Sequence, residues 1–170
     1  MEQPDMAELE SNVPLIREYR PSDMPRIHAL DAVCFPPEIA FSRSELLFFV
    51  SHRDSVTRVA EAKGDIVGFV VGRFVAPAAA HIHTLDVAPG ARRSRIGTAL
   101  MEVLHAEFCR MGAEASFLEV DVANAAARRF YEGLEYRYLE RLPDYYQGRS
   151  DAFRMVRQLP SWPAPHVPQI

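Results

Sequence analysis

One stretch of the chain, residues 79–112, constrains the fold most, because a strand pattern, a tight turn and an amphipathic helix pattern follow one another directly. The strand is predicted over "AHIHTLDVAP", which leads into the turn residues Pro89 and Gly90. An apolar stripe then recurs at helical spacing and stops before Gly112; it consists of Ile96, Ala99, Leu100, Val103, Leu104, Phe108 and Met111. A strand followed at once by such a helix is typical of α/β proteins.

The rest of the chain alternates between the two patterns. Strands are predicted over "VPLIREY", "SVTRVAEA", "IVGFVVGRFVA", "SFLEVDV", "YRYLERL" and "AFRMVRQL", and helices over "SDMPRIHALDAVC", "SRSELLFFVSH" and "AAARRFYEGL". The order β-α-α-β-β-β-α-β-α-β-β indicates an α/β (mixed α+β) class, with helices on both faces of a mixed sheet. We expect a single domain over residues 13–159, between a polar tail of residues 1–12 and a proline-rich tail of residues 160–170.

Charge and hydropathy exclude several kinds of partner. The net charge of −4 and the pI near 5.9 argue against nucleic acid. No apolar run approaches the ~18 residues that a membrane-spanning helix needs, and the acidic start does not resemble a signal peptide. We therefore expect a cytoplasmic protein without a membrane partner. No metal is expected, since Cys34 and Cys109 lack metal-ligand spacing and His81 and His83 lack a third ligand.

The loop "ARRSRIGT" before the long helix has two interpretations. The free N–H groups at the helix start, with Arg92, Arg93 and Arg95, would bind an anion, and Gly97 would allow close approach. Alternatively, the loop is a solvated basic turn before an ordinary helix. It matches neither a Walker loop nor a dinucleotide-binding fingerprint. These residues by themselves leave both interpretations open.

Longer motifs resemble the GNAT acetyltransferase superfamily. "VAPGARRSRIGTALM" is similar to its acetyl-CoA pyrophosphate loop, Gln/Arg-x-x-Gly-x-Gly/Ala: Arg92 and Gly97 match, whereas Arg95 replaces a glycine. "LEVDVANAAARRFYEGLEY" resembles the second signature, with Glu135 and Tyr136 in place of Gly-Phe. With "FPPEIAFSRSEL" and "LPDYYQGRSDAFRMVRQL", the similarity covers about residues 14–159. It is greatest to the RimI-like branch, which acetylates protein N-terminal α-amines.

The resemblance implies a fold and a cosubstrate. The GNAT fold has a mixed, mostly antiparallel sheet of six to seven strands flanked by about four helices. In this family a bulge splays the strand before the loop, and acetyl-CoA would bind the backbone groups exposed there. It would also contact the loop itself and lie beside the next helix. The implied cofactor-binding residues are Leu85, Asp86, Val87, Arg92, Arg93, Ser94, Arg95, Ile96, Gly97, Thr98, Asn124 and Tyr131.

Acetyl transfer to an amine needs a base for the ammonium group, donors for the oxyanion and a proton for the leaving thiolate. Glu119 stands at the base position of the RimI-like branch; alternatively, it is a salt-bridged strand residue, and Asp121 competes on the same face. Tyr131 stands at the general-acid position; alternatively, it is a core tyrosine. Asn124 would cap the helix of Tyr131 whether or not a cofactor binds there.

Four further residues are expected on the acceptor side. His81 and Glu38 match positions that some relatives use as an alternative base pair, and Phe41 and Tyr145 would border the acceptor; capping, packing or exposed loop roles are the alternatives. The leading hypothesis is an N-acetyltransferase for protein or peptide N-terminal α-amines. Transfer to a lysine or a small-molecule amine, and a non-catalytic acyl-CoA-binding module, are the other two. The oligomeric state stays open.

Overall fold

The computed structural model describes residues 14–161. The tail predicted over residues 1–12, and all but two residues of the one over 160–170, lie outside this part. In chain order the helices and strands are β1 (Leu15–Glu18), α1 (Met24–Cys34), α2 (Arg43–Ser51), β2 (Ser55–Ala62), β3 (Asp65–Val75), β4 (Ala79–Val87), α3 (Ile96–Arg110), β5 (Ala115–Asp121), α4 (Ala125–Gly133), β6 (Arg137–Leu142) and β7 (Ala152–Gln158). This is the predicted order. None of the described helices is long and apolar enough to cross a membrane.

The strands form one sheet in the order β1-β2-β3-β4-β5-β7-β6. All neighbours are antiparallel except β4 and β5, which run parallel. The mixed, mostly antiparallel sheet that the resemblance implies is therefore confirmed. The C-terminal strand β7 lies between β5 and β6, so residues far apart in the sequence become neighbours on these strands.

The sheet buries two separate cores. On the face covered by α1 and α2, Ile27 and Leu46 pack against Phe69 of β3; we call this the α1–α2 face. On the opposite face, Leu104 of α3 packs with Met155 of β7, and α4 contributes partly buried side chains; we call this the α3–α4 face. The prediction of helices on both faces is confirmed.

Local signals explain two of the helix starts and fail at a third. Ser42 caps α2, because its hydroxyl accepts from the Glu45 N–H at 3.3 Å and the Glu45 carboxylate accepts from the Ser42 N–H at 2.8 Å. Asn124 caps α4 by accepting from the Ala127 N–H at 3.0 Å. Asp23 precedes α1 but its side chain does not cap the helix, because it binds Arg17 and the Arg20 N–H instead.

Two irregularities of β4 create the main opening in the sheet. Ile82 stands opposite Gly72 and Thr84 opposite Val71, so His83 is an extra residue that forms a bulge. On its other side, β4 pairs with β5 only from Ala79 to His81. Beyond His81 the two strands separate, so the middle of the sheet is open towards the carboxyl end of β4.

Candidate active site

The opening between β4 and β5 leaves backbone groups free in the centre of a sheet. From Ile82 to Val87, β4 pairs with β3 on one side and with no strand on the other. Backbone N–H and C=O groups require hydrogen-bond partners when they are buried. This edge, which includes Leu85, Asp86 and Val87, is therefore suited to an extended ligand that carries amide groups.

The loop at the end of the opening contains two strained arginines. Arg93 and Arg95 adopt positive φ values of 59° and 66°, where a non-glycine residue costs roughly 1–2 kcal/mol. Arg95 is the residue that precedes α3 and so substitutes for the family's glycine in the left-handed conformation. Arg92 instead folds back, and its Nε–H donates to the Val87 carbonyl at 3.1 Å. Arg92, Arg93 and Arg95 are all exposed.

The start of α3 is packed tightly against α4. A Cβ atom on Gly97 would lie 3.2 Å from the Phe130 ring, so a larger residue would push the two helices apart. The sequence analysis predicts that Gly97 allows close approach of a ligand or of backbone. The structure adds a second reason for glycine here, its packing against Phe130. Ile96, the residue before Gly97, is buried as well. The first N–H groups of α3 have no acceptor within the helix.

A hydrogen-bonded pair of side chains lies where β4 and β5 begin to separate. The His81 Nε2 atom is 2.6 Å from Oε2 of Glu119, so two residues that the sequence analysis proposed separately are in contact. The other carboxylate oxygen, Oε1, accepts from the Arg154 Nε–H at 2.9 Å. Nδ1 of His81 has no hydrogen-bond partner within residues 14–161. The arrangement therefore offers one free imidazole nitrogen next to a carboxylate that is bound on both oxygens.

The two hydrogen-bonded neighbours, His81 and Arg154, determine the ionisation of Glu119. Its side chain is only 6% exposed, and burial alone raises the pKa of a carboxyl group. The hydrogen bonds and charges of His81 and Arg154 outweigh this burial and bring the pKa of Glu119 below its ordinary value. Glu119 is thus a carboxylate at neutral pH, and by itself a weak base.

A row of stacked rings holds His81 in place. The imidazole stacks on the Phe117 ring with centroids 4.5 Å apart and planes inclined by 7°. The ring of His83 contacts the same imidazole edge-on, with centroids 4.5 Å apart. His83 in turn stacks on Phe49 of α2, with centroids 4.3 Å apart. Burial, with smaller contributions from the charges of His81 and Arg73, lowers the pKa of His83 to about 3. His83 is therefore a neutral packing residue and does not titrate near neutral pH.

Tyr131 lies on α4, on the α3–α4 face. Its ring packs edge-on against Phe130 and Tyr136 with centroids 5.2 and 5.8 Å away. No hydrogen bond to its hydroxyl is found among the described residues. Burial, and then the proximity of Tyr136 and Asp86, raise the pKa of this phenol well above its ordinary value. Tyr131 is therefore a neutral O–H donor whose proton is free for a ligand.

Two loops approach each other on the α1–α2 face. The α1–α2 loop (residues 35–42) carries Glu38, whose carboxylate pairs with Arg149 of the β6–β7 loop (residues 143–151). Glu38 and His81, which the sequence analysis names as an alternative base pair, form no hydrogen bond with each other: Glu38 binds Arg149 and His81 binds Glu119. Tyr145 of the β6–β7 loop has its pKa raised by burial and by the nearby charge of Glu119. Phe41 packs edge-on against the ring of Phe49, with centroids 5.2 Å apart.

Asp121, the competitor of Glu119, has a structural position. Its Oδ1 accepts from the Ala123 N–H and its Oδ2 from the Ser150 hydroxyl, both at 2.8 Å. Both oxygens are used to hold the turn after β5 and the β6–β7 loop. Glu119 also has a bond on each oxygen, but one of its partners is the imidazole of His81.

Two further carboxyl groups are buried between α1 and β4. Asp31 and Asp86 are 0% and 1% exposed, and one oxygen of each has no hydrogen-bond partner in the described part of the chain. Asp31 accepts from the Phe41 N–H at 2.6 Å and Asp86 from the Thr84 hydroxyl at 3.1 Å. Burial raises the pKa of Asp31 to about 6 and that of Asp86 well above the ordinary range. These groups are held towards the protonated form.

Sequence reasoning missed Arg154. It lies on β7 directly opposite Glu119, whereas the sequence analysis uses "AFRMVRQL" as a strand and as part of the GNAT resemblance and assigns no role to this arginine. The one available signal was charge, since an arginine inside a predicted strand is favoured by a carboxylate opposite it on the same face.

Residues 14–161 contain no group of three or more potential metal ligands. A cleft of about 360 Å³ is lined by Glu132, Glu135, Tyr136, Arg137 and Tyr138, outside the predicted acceptor side.

Comparison with known proteins places the chain in a family. Residues 24–136 match the model described as the acetyltransferase (GNAT) family. An uncharacterised N-acetyltransferase of Methanocaldococcus jannaschii is 31% identical over 155 residues, which cover 90% of this chain and 97% of that protein. The chain therefore belongs to the GNAT acetyltransferase family, and it is an acetyltransferase enzyme.

Two other relatives bear on the branch. An N-alpha-acetyltransferase of Sulfurisphaera tokodaii is 27% identical over 159 residues, covering 85% of this chain and 92% of that protein. The crystal structure of the ribosomal-protein-S18-alanine N-acetyltransferase of Escherichia coli superposes with a TM-score of 0.79 and 23% identity, covering 91% of this chain and 98% of that one. The latter shares the fold.

Proposed function

We propose that this protein transfers the acetyl group of acetyl-CoA to the N-terminal α-amine of a protein or peptide. The observation that carries the proposal is the His81–Glu119 pair, located where the central strands separate. At this point Nδ1 of His81, which has no hydrogen-bond partner among the described residues, lies beside the free edge of β4. The names of the Sulfurisphaera tokodaii and Escherichia coli relatives supply the acceptor class.

The residues around the opening fit acetyl-CoA. Its amide-rich arm would pair with the free backbone edge of β4 at Leu85, Asp86 and Val87, as an added strand does. Its pyrophosphate would meet the first N–H groups of α3 together with Arg93 and Arg95. Asn124 and Tyr131 would lie on its α4 side. Acetyl-CoA supplies a thioester, and the protein's own groups perform the proton transfers.

The base is the His81–Glu119 pair acting together. With Nε2–H donated to Glu119, Nδ1 of His81 presents a lone pair to the ammonium group or to a water bound to it. The N–H bond of the ammonium breaks and an Nδ1–H bond forms, which leaves the amine with a lone pair for attack. Glu119 stabilises the resulting imidazolium and keeps the ring oriented.

The acid is Tyr131. Its hydroxyl is neutral and has no hydrogen-bond partner within residues 14–161, so it can donate to the sulfur as the C–S bond breaks. As the C–N bond forms, the attacking nitrogen releases its second proton to solvent, and the C–S bond breaks to give a thiol that carries the proton from Tyr131. Both proton carriers return to their starting states by exchange with solvent.

The acceptor is proposed to enter between the α1–α2 and β6–β7 loops. Glu38 and Arg149 link these loops, and Phe41 and Tyr145 contribute aromatic surface. A chain terminus can thread beneath such a bridge and present its amine to His81. Transfer to a lysine or a small amine uses the same chemistry, and nothing in the geometry favours it specifically.

The test is a thiol-release assay with acetyl-CoA against a library of peptide N-termini, with N-acetylated copies of the same peptides as controls. We expect release only with free N-termini. Release with free lysine or small amines but with no free peptide N-terminus would contradict the acceptor assignment. Tight acetyl-CoA binding without release on any amine would contradict the enzymatic assignment.

The acid assignment predicts the behaviour of Tyr131→Phe. This substitution removes the proton donor and keeps the ring packing against Phe130 and Tyr136. We expect kcat to fall by roughly 100-fold, as is typical when a positioned general acid is lost, while the Kd of acetyl-CoA changes by less than about threefold. Steady-state kinetics with the best peptide and calorimetric binding measure the two quantities. A kcat near that of wild type would reject Tyr131 as the acid.

A further inference from the structure

Arg154 is fixed from three directions beside the proposed base. Its Nε–H donates to Oε1 of Glu119 at 2.9 Å, and Nη1–H donates to Oε1 of Glu140 on β6 at 2.6 Å. Its guanidinium carbon lies 5.6 Å from the centroid of the Phe117 ring, the same ring on which His81 stacks. A side chain held by two carboxylates and an aromatic face has little rotational freedom.

The register of the sheet makes this contact unavoidable. Glu119 stands opposite Arg154 on β7, and Glu140 stands opposite the same arginine on β6. The three side chains therefore lie in one row across β5, β7 and β6, on the α1–α2 face. Glu119 is almost completely buried, whereas Glu140 is 47% exposed, so the arginine connects the enclosed carboxylate to the surface.

This contact divides the two oxygens of Glu119 between a permanent cation, Arg154, and an imidazole, His81. Oε1 is occupied by Arg154, so Oε2 alone faces His81. A carboxylate compensated by a permanent cation attracts an additional proton less strongly than an uncompensated one. The proton taken from the acceptor amine then stays on the imidazole and is released again to solvent, instead of being retained between the two side chains.

We propose that Arg154 is a positioning residue that keeps Glu119 as a fixed carboxylate and thereby makes His81 the member of the pair that carries the transferred proton. This inference rests on the proposed function of the His81–Glu119 pair. Arg154 touches neither the acceptor nor acetyl-CoA in this scheme and acts through Glu119. Other titratable groups around the pair are His83 on β4, Tyr145 and Tyr146 in the β6–β7 loop, and Glu140 on β6.

The experiment compares Arg154→Met with wild type in the pH profile of kcat/KM for peptide acetylation, from pH 6 to 9.5. Methionine keeps the apolar stem and removes the charge. We expect the acidic limb to move upward by about one pH unit, which lowers kcat/KM about tenfold near pH 7, while values above pH 9 stay within about threefold of wild type. Arg154→Lys, which retains the charge, should restore most of the shift.

Two further variants separate this role from a general effect of charge or folding. Arg26→Met removes an exposed arginine paired with Asp65 and should leave the profile unchanged. Glu140→Gln frees Arg154 to bind Glu119 alone, and should move the acidic limb slightly downward. A uniform loss at every pH in Arg154→Met, or an unchanged limb, would overturn the proposal, and so would an upward shift in Glu140→Gln.

A second readout does not depend on turnover. Carbon-13 NMR of the Glu119 carboxyl group in the folded protein should show a higher pKa in Arg154→Met than in wild type, because its permanently charged partner is gone. If wild type acetylates no amine, the proposed function fails, and this titration still tests Arg154. If wild type is active and the pKa of Glu119 does not change in Arg154→Met, the positioning role is wrong.

Discussion

Buried carboxyl groups on the same face of the sheet lie in two opposite environments. Glu119 of β5 has a nitrogen partner on each oxygen, His81 on one and the permanently charged Arg154 on the other, and its pKa lies below the ordinary value in spite of burial. Within residues 14–161, Asp31 of α1 accepts from a backbone N–H and Asp86 of β4 from a hydroxyl, neither has an ion pair, and burial raises their pKa values. Burial acts alike at all three, so the partners decide the charge.

This difference in ionisation distinguishes a carboxylate suited to catalysis from carboxyl groups suited to a structural role. A carboxylate that stays charged without full exposure to water can stabilise a neighbouring imidazolium, as catalysis requires. A carboxyl group that is held towards its protonated form can do no such work, and it fixes a loop or a strand instead. Asp31 binds the N–H of Phe41 and thereby fixes the end of the α1–α2 loop.

Neutralising one carboxyl group in each environment, without changing its shape, separates the two roles. Glu119→Gln should lower kcat by roughly 100-fold at pH 6.5, because the pair loses its anion. The loss should shrink above pH 8, where a free α-amine with a pKa near ~8 is already deprotonated. Asp31→Asn keeps an acceptor for the Phe41 N–H and should retain kcat within about threefold. Kinetics of both variants at the two pH values test this.

An equal loss at both pH values in Glu119→Gln would assign the residue a structural role. A loss in Asp31→Asn as large as in Glu119→Gln would remove the distinction between the two environments. Circular dichroism of both variants at the assay temperature controls for unfolding.

Much of the fold could be predicted from local sequence because its elements are encoded locally. The apolar stripe of α3 and the capping box of Ser42 and Glu45 depend on residues within a few turns of one another. The same is true of the hairpin at Lys63 and Gly64, which both have positive φ. The motif from Glu119 to Tyr136 also lies within one short segment. These signals led to the GNAT family, which the comparisons confirm.

The rest of the candidate site depends on pairing that the sequence does not encode locally. Arg154 meets Glu119 because β7 inserts between β5 and β6, and no pattern within a strand specifies its neighbour. The bulge at His83 inverts the alternation of β4, so Asp86 stands opposite Phe69 of the α1–α2 core. Strict alternation from His81 would have placed Asp86 on the other face. The catalytic and cofactor-binding roles of these residues stay predictions.

Asp31 also predicts an effect on stability. Its pKa of about 6 in the folded protein exceeds the ~3.9 of an unfolded carboxyl group, so folding favours the protonated form. The associated stabilisation is complete below pH 4 and is lost as the pH rises through 6. Asp31→Asn, which is never charged, should therefore raise the free energy of unfolding by about 2 kcal/mol at pH 8 relative to wild type. Near pH 4 the two proteins should differ little.

Urea denaturation at pH 4 and pH 8 measures this difference. A variant that is less stable than wild type at pH 8 would show that the Asp31 carboxylate finds a favourable partner when charged. That result would place Asp31 in the same class as Glu119 and would contradict the distinction between the two environments.

Asp23 offers the opposite case outside the candidate site, and the smallest effect. Its carboxylate binds Arg17 through two bonds of 2.8 and 3.0 Å and accepts from the Arg20 N–H at 2.7 Å. The bonds to Arg17 lower its pKa, and burial opposes them only in part. The stabilisation is therefore present above pH 4 and is lost as the pH falls through the lowered pKa, a trend opposite to that of Asp31.

Asp23→Asn should lower the free energy of unfolding by about 1–2 kcal/mol at pH 7, because Arg17 loses a bidentate partner in a pair that is 15% and 8% exposed. The difference should become smaller as the pH falls below 4, because the Asp23 carboxyl group of unfolded wild type, with a pKa near ~3.9, takes up a proton before that of the folded protein does. Asp65→Asn breaks the exposed pair with Arg26 and should cost less than about 0.5 kcal/mol over the same pH range. If Asp23→Asn and Asp31→Asn showed the same pH trend in urea denaturation, hydrogen-bonded cations would not be what sets the charge of buried carboxyl groups in this fold. Glu119 would then lose its electrostatic distinction from Asp31 and Asp86.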